Sequence, residues 1–189
     1  MEKPLNTSTK NQYLWQQFLL GDAAAFKKIY LKNAPLLAAY GKKITPNKEI
    51  VNDAIQDVFI NLWQKRERLP VVQNTSAYLL KALRNRILRI LESRSIGNDS
   101  NRPHQAFQES YEHHLIRAEL ASENLHKLHS IIEQLPARQK EVINLKYFQN
   151  LKTDEIADIL NINYQSASNL LYKGIKALKK QAKQQQNRK

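Results

Sequence analysis

The clearest pattern in the chain is a helix, a tight turn and a second helix within residues 151–180. Thr153 is placed to cap the first helix, with acidic residues in the first turn, where the helix dipole favours negative charge. The segment Asn161-Ile162-Asn163 interrupts the helical spacing, because asparagine tolerates the left-handed conformation that a turn needs. A second helix is predicted from about Tyr164. The apolar face of the first helix comprises Ile156, Ala157 and Leu160.

The second helix separates apolar and polar positions when it is viewed along its axis at about 100° per residue. Its apolar stripe comprises Ala167, Leu171, Gly174 and Leu178. The opposite side has amides and hydroxyls early and lysines late, which suits base edges followed by phosphates in a major groove. This arrangement is typical of a helix-turn-helix, although an αα-hairpin with a solvated polar face fits the same pattern. The candidate contacts to duplex DNA are Gln165, Ser166, Ser168, Asn169, Tyr172, Lys173 and Lys176.

The rest of the chain also shows helical spacing, and no stretch favours a strand. Three helical pieces are predicted in residues 11–41, with Asp22 capping the second and Pro35 limiting it. Further helices are predicted from Pro46 to about Lys65, over residues 76–92 and from Leu125 onward. The predicted fold is all-α, with two small helical domains joined by a flexible linker and a helix-turn-helix in the second. The predicted segments are a tail at 1–10, domains at 11–92 and 125–182, a linker at 93–124 and a basic tail at 183–189.

The distribution of charged residues along the chain divides it into the same segments. The 189 residues have a net charge of +13 and a pI near 9.9, which favours a polyanionic partner such as nucleic acid. Residues 11–92 contain 13 basic and 6 acidic side chains, residues 93–124 contain 3 and 5, and residues 125–189 contain 12 and 5. Two basic modules on either side of a mildly acidic linker are therefore expected.

Several classes of protein are disfavoured by what the sequence lacks. There is no cysteine, so a disulfide framework and a thiolate metal site are excluded. The N-terminus lacks an apolar signal core and no stretch of about eighteen apolar residues occurs, so a cytoplasmic protein without membrane insertion is expected. Binding to an anionic membrane surface would leave the turn at residues 161–163 without a purpose. No phosphate-binding glycine loop or catalytic motif is present, so neither an enzyme nor a cofactor is predicted.

Two small clusters could carry other chemistry. Asp53 and Asp57 are four residues apart on one helix face beside Gln56, which would suit a divalent cation or acid–base catalysis. No histidine or third carboxylate is nearby, so a protein-contact surface or a solvated face is favoured. His126 and His129 have spacing suited to a metal, but no third ligand accompanies them, which favours exposed or interfacial histidines.

A second basic surface is predicted in the N-terminal half. Arg66 and Arg68 lie in a proline-broken loop at residues 65–75, followed by a helix that contains Arg84 and three further basic residues. Such a loop and helix would bind phosphates. The alternative is that the arginines extend to solvent and only solubilise a bundle helix.

Two segments of the chain resemble the extracytoplasmic-function sigma factors of bacterial RNA polymerase. The segment NDAIQDVFINLW, residues 52–63, is similar to the helix of the family's second region. Residues 135–180, which begin LPARQKEV, are similar to its fourth region. The likeness covers about residues 18–92 and 125–180, in the family's order. Asn161 stands where the family usually has a turn glycine.

The resemblance implies a promoter-specificity subunit that is not an enzyme. Asp53, Gln56 and Asp57 would bind the clamp helices of the polymerase's largest subunit. The second region would capture the melted minus-ten strand, and the helix from Tyr164 would recognise the minus-thirty-five duplex. An anti-sigma protein would be a further partner. The implied contacts to melted DNA are Arg66, Arg68, Asn74, Arg84 and Asn85.

The sequence is also compatible with two other functions. A stand-alone helix-turn-helix regulator would bind duplex DNA without polymerase, as a dimer with paired half-sites. An RNA- or single-strand-binding helical protein would show strong salt dependence without a preference for a duplex sequence.

Overall fold

The computed structural model describes residues 7–95 and 130–186, with side chains described from 11 to 94 and from 130 to 184. Every regular element in these residues is a helix or helical turn. The chain divides into two compact units, Met1–Asp99 and Ser100–Lys189. The predicted all-α fold with two helical domains is therefore confirmed. The exact domain boundaries stay predictions, because most of the predicted linker, residues 96–124, lies outside the described residues.

Over residues 7–95, the first unit contains four helices and one short 3₁₀ turn. They are α1 (Thr7–Leu19), α2 (Ala23–Ile44), α3 (Lys48–Gln64), the 3₁₀ turn Arg66–Arg68 and α4 (Thr75–Ser95). Asp22 caps α2 as predicted, since its carboxylate accepts from the backbone N–H of Ala24 at 2.7 Å. Asn47 caps α3 in the same way, accepting from Ile50 at 3.1 Å. The helix α1 begins at Thr7, within the segment predicted as a tail.

The break predicted at Pro35 is wrong, because α2 continues through it. A proline inside a helix removes one backbone donor and crowds the preceding turn. Here the carbonyl left without that donor belongs to Leu31, which is 61% exposed and can be hydrated. Ile29 and Leu37, on either side of the proline, are both buried in the core and keep the two halves of α2 in one helix.

Aromatic rings pack in a row in the first unit, where Trp15 and Phe18 are fully buried and Phe26 and Trp63 are half-buried. The ring centroids of Trp15 and Phe18 are 5.2 Å apart, those of Phe18 and Phe26 5.7 Å, and those of Phe26 and Trp63 5.0 Å. Large aromatic side chains bury much apolar surface, and tilted pairs add to that stabilisation. These rings come from α1, α2 and α3, and α2 also packs against α4.

The second unit is built around its last helix. After a helical turn at residues 130–133 come α5 (Ala137–Ile143), a π-helical turn (Asn144–Phe148), α6 (Thr153–Leu160) and α7 (Tyr164–Gln186). Both α5 and α6 pack on α7. A Cβ added at Gly174 of α7 would lie only 3.1 Å from the Ile143 side chain, so glycine allows α5 and α7 to approach closely.

The predicted turn between α6 and α7 is confirmed. Asn161 has φ 52° and ψ 47°, the left-handed conformation, which asparagine adopts more readily than most residues. Asn163 caps α7 by accepting from the backbone N–H of Ser166 at 2.7 Å. The cap of α6 is Lys152, one residue before the predicted Thr153. Its backbone N–H donates to the Glu155 carboxylate at 2.7 Å, which satisfies a donor that the helix start leaves free.

Candidate nucleic-acid and polymerase interfaces

The polar face predicted for the second helix of the helix-turn-helix is turned to solvent on α7. Gln165, Asn169, Lys173 and Lys176 are exposed, and Tyr172 is 64% exposed. Ser166 and Ser168 are half-buried at the edge of this face. The buried stripe lies opposite and contains Ala167, Leu171 and Gly174. The predicted duplex-DNA contacts therefore share one accessible surface.

This surface can donate and accept hydrogen bonds at the start of α7 and supply positive charge further along. The Gln165 amide lies 3.4 Å from the Asn169 amide oxygen, so these two residues stand side by side one turn apart. Asparagine and glutamine can bond adenine through two atoms in the major groove. Lysine supplies a mobile charge for phosphate.

The three candidate polymerase contacts on α3 differ in their surroundings. Asp53 and Gln56 are exposed. Asp57 was predicted to face solvent like Asp53, and in the structure it is half-buried. Its carboxylate accepts from Arg86 of α4, with the Oδ2 atom 2.7 Å from Nε and 2.6 Å from a terminal guanidinium nitrogen. The Asp57 side chain is still 37% exposed, so it can meet a second group.

An apolar groove of about 850 Å³ lies beside these residues, between α2 and α3. Several large apolar side chains are partly open to solvent at its edge, including Leu31 at 61% and Ile60 at 44% exposed. Gln56 belongs to the lining of the groove. An exposed apolar surface with a polar edge is typical of a protein-contact site.

The candidate contacts for melted DNA are partly engaged within the first unit. The Arg66 guanidinium lies 4.9 Å from the centre of the Trp63 ring and donates to the Trp63 carbonyl at 3.0 Å. Arg84 is buried, with only 7% of its surface exposed. Arg68 is exposed and Asn85 is half-buried. Arg68 is thus the most accessible cation of this set.

The loop between the 3₁₀ turn and α4 is held by contacts that the sequence did not indicate. The Trp15 indole N–H donates to the Pro70 carbonyl at 3.0 Å, and the Gln12 side chain bonds that of Gln73. Asn74 ends the loop and caps α4, accepting from the N–H groups of Ser76 and Ala77 at 3.1 and 3.2 Å. The only signal in the sequence was the helical spacing of α1, which does not show what α1 contacts.

Within the described residues, no group of three or more histidine or acidic side chains is placed to hold a metal ion. His126 and His129 lie outside the described residues. None of the described helices is long and apolar enough to cross a membrane.

Two family models match the chain in succession. The model of sigma-70 region 2 matches residues 29–95, and the model of sigma-70 region 4 matches residues 125–178. Together they cover most of both units and include α3, α4, α5 and α6 in full, together with α2 from Ile29 onward.

Comparison with individual proteins gives the same family. The chain is 24% identical over 165 residues to the ECF RNA polymerase sigma factor SigL of Mycobacterium tuberculosis, covering 84% of this chain and 89% of that protein. It is 36% identical over 52 residues to the RNA polymerase sigma factor SigV of Bacillus subtilis, covering 28% of this chain and 31% of that one.

Two solved structures share the fold. One is the sigma factor RpoE of Bartonella quintana in complex with the anti-sigma factor NepR, with TM-score 0.61 and 22% identity over 84% of this chain and 96% of that one. The other is CnrH in complex with the cytosolic domain of CnrY, with TM-score 0.60 and 18% identity over 89% and 94%.

The two helical units and the exposed face of the helix-turn-helix agree with successive matches to region 2 and region 4. The chain belongs to the sigma-70 family, as a sigma factor of the extracytoplasmic-function type. It is accordingly a transcription initiation factor that acts with RNA polymerase, and its family is not one of enzymes.

Proposed function

We propose that the first unit docks on core RNA polymerase and captures the melted minus-ten strand, while α7 recognises the minus-thirty-five element in duplex DNA. The observation that carries the proposal is the exposed polar face of α7, with its amides at the start of the helix and its lysines later. A recognition helix enters the major groove by its N-terminal residues. Gln165 and Asn169 therefore meet base edges, and Lys173 and Lys176 meet phosphates.

The polymerase contact is proposed for the exposed surface of α3 and the groove beside it. Asp53 and Gln56 supply polar groups, and Ile60 supplies apolar area at the edge of the groove. The partner is the pair of clamp helices in the largest polymerase subunit. A helix can place apolar side chains in such a groove and its polar groups along the rim.

Capture of the melted strand is proposed for the loop from Arg66 to Asn74 and the start of α4. Unstacking a base costs a few kcal/mol, so a surface that binds the open strand shifts the duplex toward melting. Arg68 attracts the strand directly. Arg66 and Asn74 also keep the loop in shape through their contacts with Trp63 and the first turn of α4. Arg84 is buried and Asn85 is half-buried further along α4, and both are proposed to contribute to this surface.

The proposed partners are core polymerase, promoter DNA and an anti-sigma protein. One of the two structural relatives is in complex with an anti-sigma factor, and the other is in complex with the cytosolic domain of CnrY. The open groove between α2 and α3 offers area for such a protein. The site of action is the cytoplasm, where polymerase and chromosomal DNA are found.

The test compares two exposed residues on the same face of α7. Promoters are first selected by run-off transcription from genomic fragments with core polymerase. Binding of the full-length protein with core polymerase is then measured on duplexes that vary in the upstream element. Asn169→Ala changes the preference among these duplexes by about 1–3 kcal/mol, whereas Lys176→Ala weakens all of them alike.

The proposal is tested by how the loss of affinity varies among the duplex sequences, and not by the loss on any single duplex. If both variants lose equal affinity on every duplex, α7 does not recognise bases through this face. If the protein footprints a duplex site alone as a dimer and gives no run-off transcript with core polymerase, it acts as a stand-alone regulator.

A further inference from the structure

We propose that α7 makes a second contact with DNA through its C-terminal extension, residues 179–186, which binds duplex phosphates beyond the bases that the helix recognises. The inference rests on the proposed function, in which α7 lies in a major groove. The region 4 match ends at residue 178, but α7 continues to Gln186. The extension is therefore a feature of this chain beyond the matched region.

The lysines of the extension continue the polar face of the recognition helix. Exposed polar side chains recur every three or four residues along α7, at about 100° per residue, and stay within about 40° of Asn169. They form one narrow stripe on the side opposite the buried residues of α7. The stripe comprises Asn169, Lys173, Lys176, Lys180 and Lys183.

Because of the length of α7, the two ends of this stripe meet different parts of the DNA. The helix has 23 residues and is therefore about 34 Å long at 1.5 Å per residue. A major groove is about 12 Å wide and winds around the duplex, so a straight helix of this length cannot follow it throughout. Since the N-terminal end meets the bases, the C-terminal end leaves the groove across a row of phosphates.

The charge and anchoring of the extension suit phosphate binding. Residues 159–189 contain seven basic side chains and no acidic one. Within the described residues, neither Lys180 nor Lys183 forms an ion pair, so both charges are available. The Gln181 amide, which lies between them, donates to the Gln134 side chain at 3.2 Å and holds the extension against its own unit. The lysines are thus presented on a helix that contacts its own unit through Gln181.

The experiment measures the salt dependence of duplex binding by full-length protein. Each phosphate contact contributes about 0.9 to the slope of log K against log salt concentration. The double variant Lys180→Gln with Lys183→Gln should lower this slope by about 1.8 and leave the ranking of duplex sequences unchanged. Glutamine has nearly the helix propensity of lysine, so α7 should be retained, as circular dichroism would confirm.

Two controls separate a local contact from a general effect of charge. Lys27→Gln with Lys28→Gln removes the same charge from α2 of the first unit, where both lysines are exposed. Lys179→Gln removes an exposed neighbour that points about 80° away from Asn169. The first control should change the slope less than the double variant does, and Lys179→Gln should change it by less than half as much. Equal changes from the two double variants, with half that change from Lys179→Gln, would overturn the proposal, because only net charge would then matter.

The remaining outcomes distinguish this inference from the proposed function. If Asn169→Ala alters sequence preference but the lysine variant leaves the slope unchanged, the extension does not touch DNA and the proposed function stands. If neither variant affects duplex binding, both ideas fail. If the lysine variant loses polymerase binding at an unchanged slope, the extension binds an acidic protein surface instead, and the inference is wrong.

Discussion

Among the described residues, each unit buries one asparagine side chain, and the two differ in their hydrogen bonds. Asn33 in the first unit is 2% exposed, donates to the Ile29 carbonyl at 2.8 Å and accepts from the Ser76 hydroxyl at 2.7 Å. Asn144 in the second unit is 3% exposed, and within the described residues neither polar atom of its side chain has a hydrogen-bond partner. A buried amide without partners costs stability, so Asn144 is expected to destabilise its unit, whereas the hydrogen-bonded Asn33 is not.

The same contrast applies to the candidate functional residues. In the first unit, Asp57 is paired with Arg86, Arg66 lies on Trp63, and Asn74 caps α4. On α7, the face predicted to bind DNA is largely exposed. The first unit therefore uses its polar side chains to hold a shaped surface, whereas the second presents its polar side chains to a ligand.

This difference suits the two proposed tasks. A melted strand has no fixed shape, so the protein must supply the shape, and a rigid loop reduces the entropy that binding costs. Duplex DNA already has a regular groove, so a helix needs only accessible side chains with the right spacing. Substitutions in the first unit should thus affect stability and function together, and those on α7 should affect binding alone.

The largest expected effect is on the first unit, from Trp15→Ala. The Trp15 ring is fully buried against Phe18 and Tyr78, and its indole holds the Pro70 carbonyl. Removing it should cost about 3–5 kcal/mol of unfolding free energy. Both tryptophans of the chain, Trp15 and Trp63, lie in the first unit. Urea unfolding followed by Trp63 fluorescence therefore reports on this unit.

A milder variant at Trp15 distinguishes the effect of the loop contact from the effect of core packing. Trp15→Phe keeps an aromatic ring but removes the donor to Pro70. It should weaken binding of a melted-promoter strand more than binding of duplex DNA, as measured with core polymerase present. An equal loss on both DNAs would show that Trp15 stabilises the unit without positioning the loop.

The two buried asparagines provide the next test, because substitution by leucine should change the unfolding free energy in opposite directions. Asn144→Leu should raise the unfolding free energy of the second unit by about 1–3 kcal/mol, since leucine needs no partner. Asn33→Leu should lower that of the first unit by a similar amount, because it leaves the Ser76 hydroxyl without its acceptor. Circular dichroism would follow both units and tryptophan fluorescence the first. A loss of stability in both variants would contradict the contrast between the units.

The smallest effect on stability is expected from the pair of Asp57 and Arg86. Both side chains are more than a third exposed, so breaking the pair should cost at most about 1 kcal/mol. Asp57→Asn and Arg86→Gln remove opposite ends of the same contact and should be similarly stable. If Asp57 also binds polymerase, only Asp57→Asn should weaken the complex in gel filtration with core polymerase. If both variants bind core polymerase equally well, Asp57 contributes only its ion pair with Arg86.

The sequence determined the elements that depend on local spacing and caps. The apolar stripe of α7, the turn at Asn161, the cap at Asp22 and the position of α3 follow from neighbouring residues, and the structure contains them. The polar face of α7 was also predictable, because a helix with one buried stripe must expose the opposite side. The net charge follows from composition, and the order of the two basic modules follows from the charge counts along the chain.

Only the tertiary structure decided which polar groups are engaged and where a local rule is overridden. Pro35 stays inside α2 because core packing on both sides outweighs one lost hydrogen bond. Asp57 meets Arg86, and Trp15 meets Pro70, across 29 and 55 residues of sequence. Periodicity within a helix gives the direction of a side chain but not the group that lies opposite it. That group is set by how the helices pack, and this packing distinguishes the buried Asn33 from the buried Asn144.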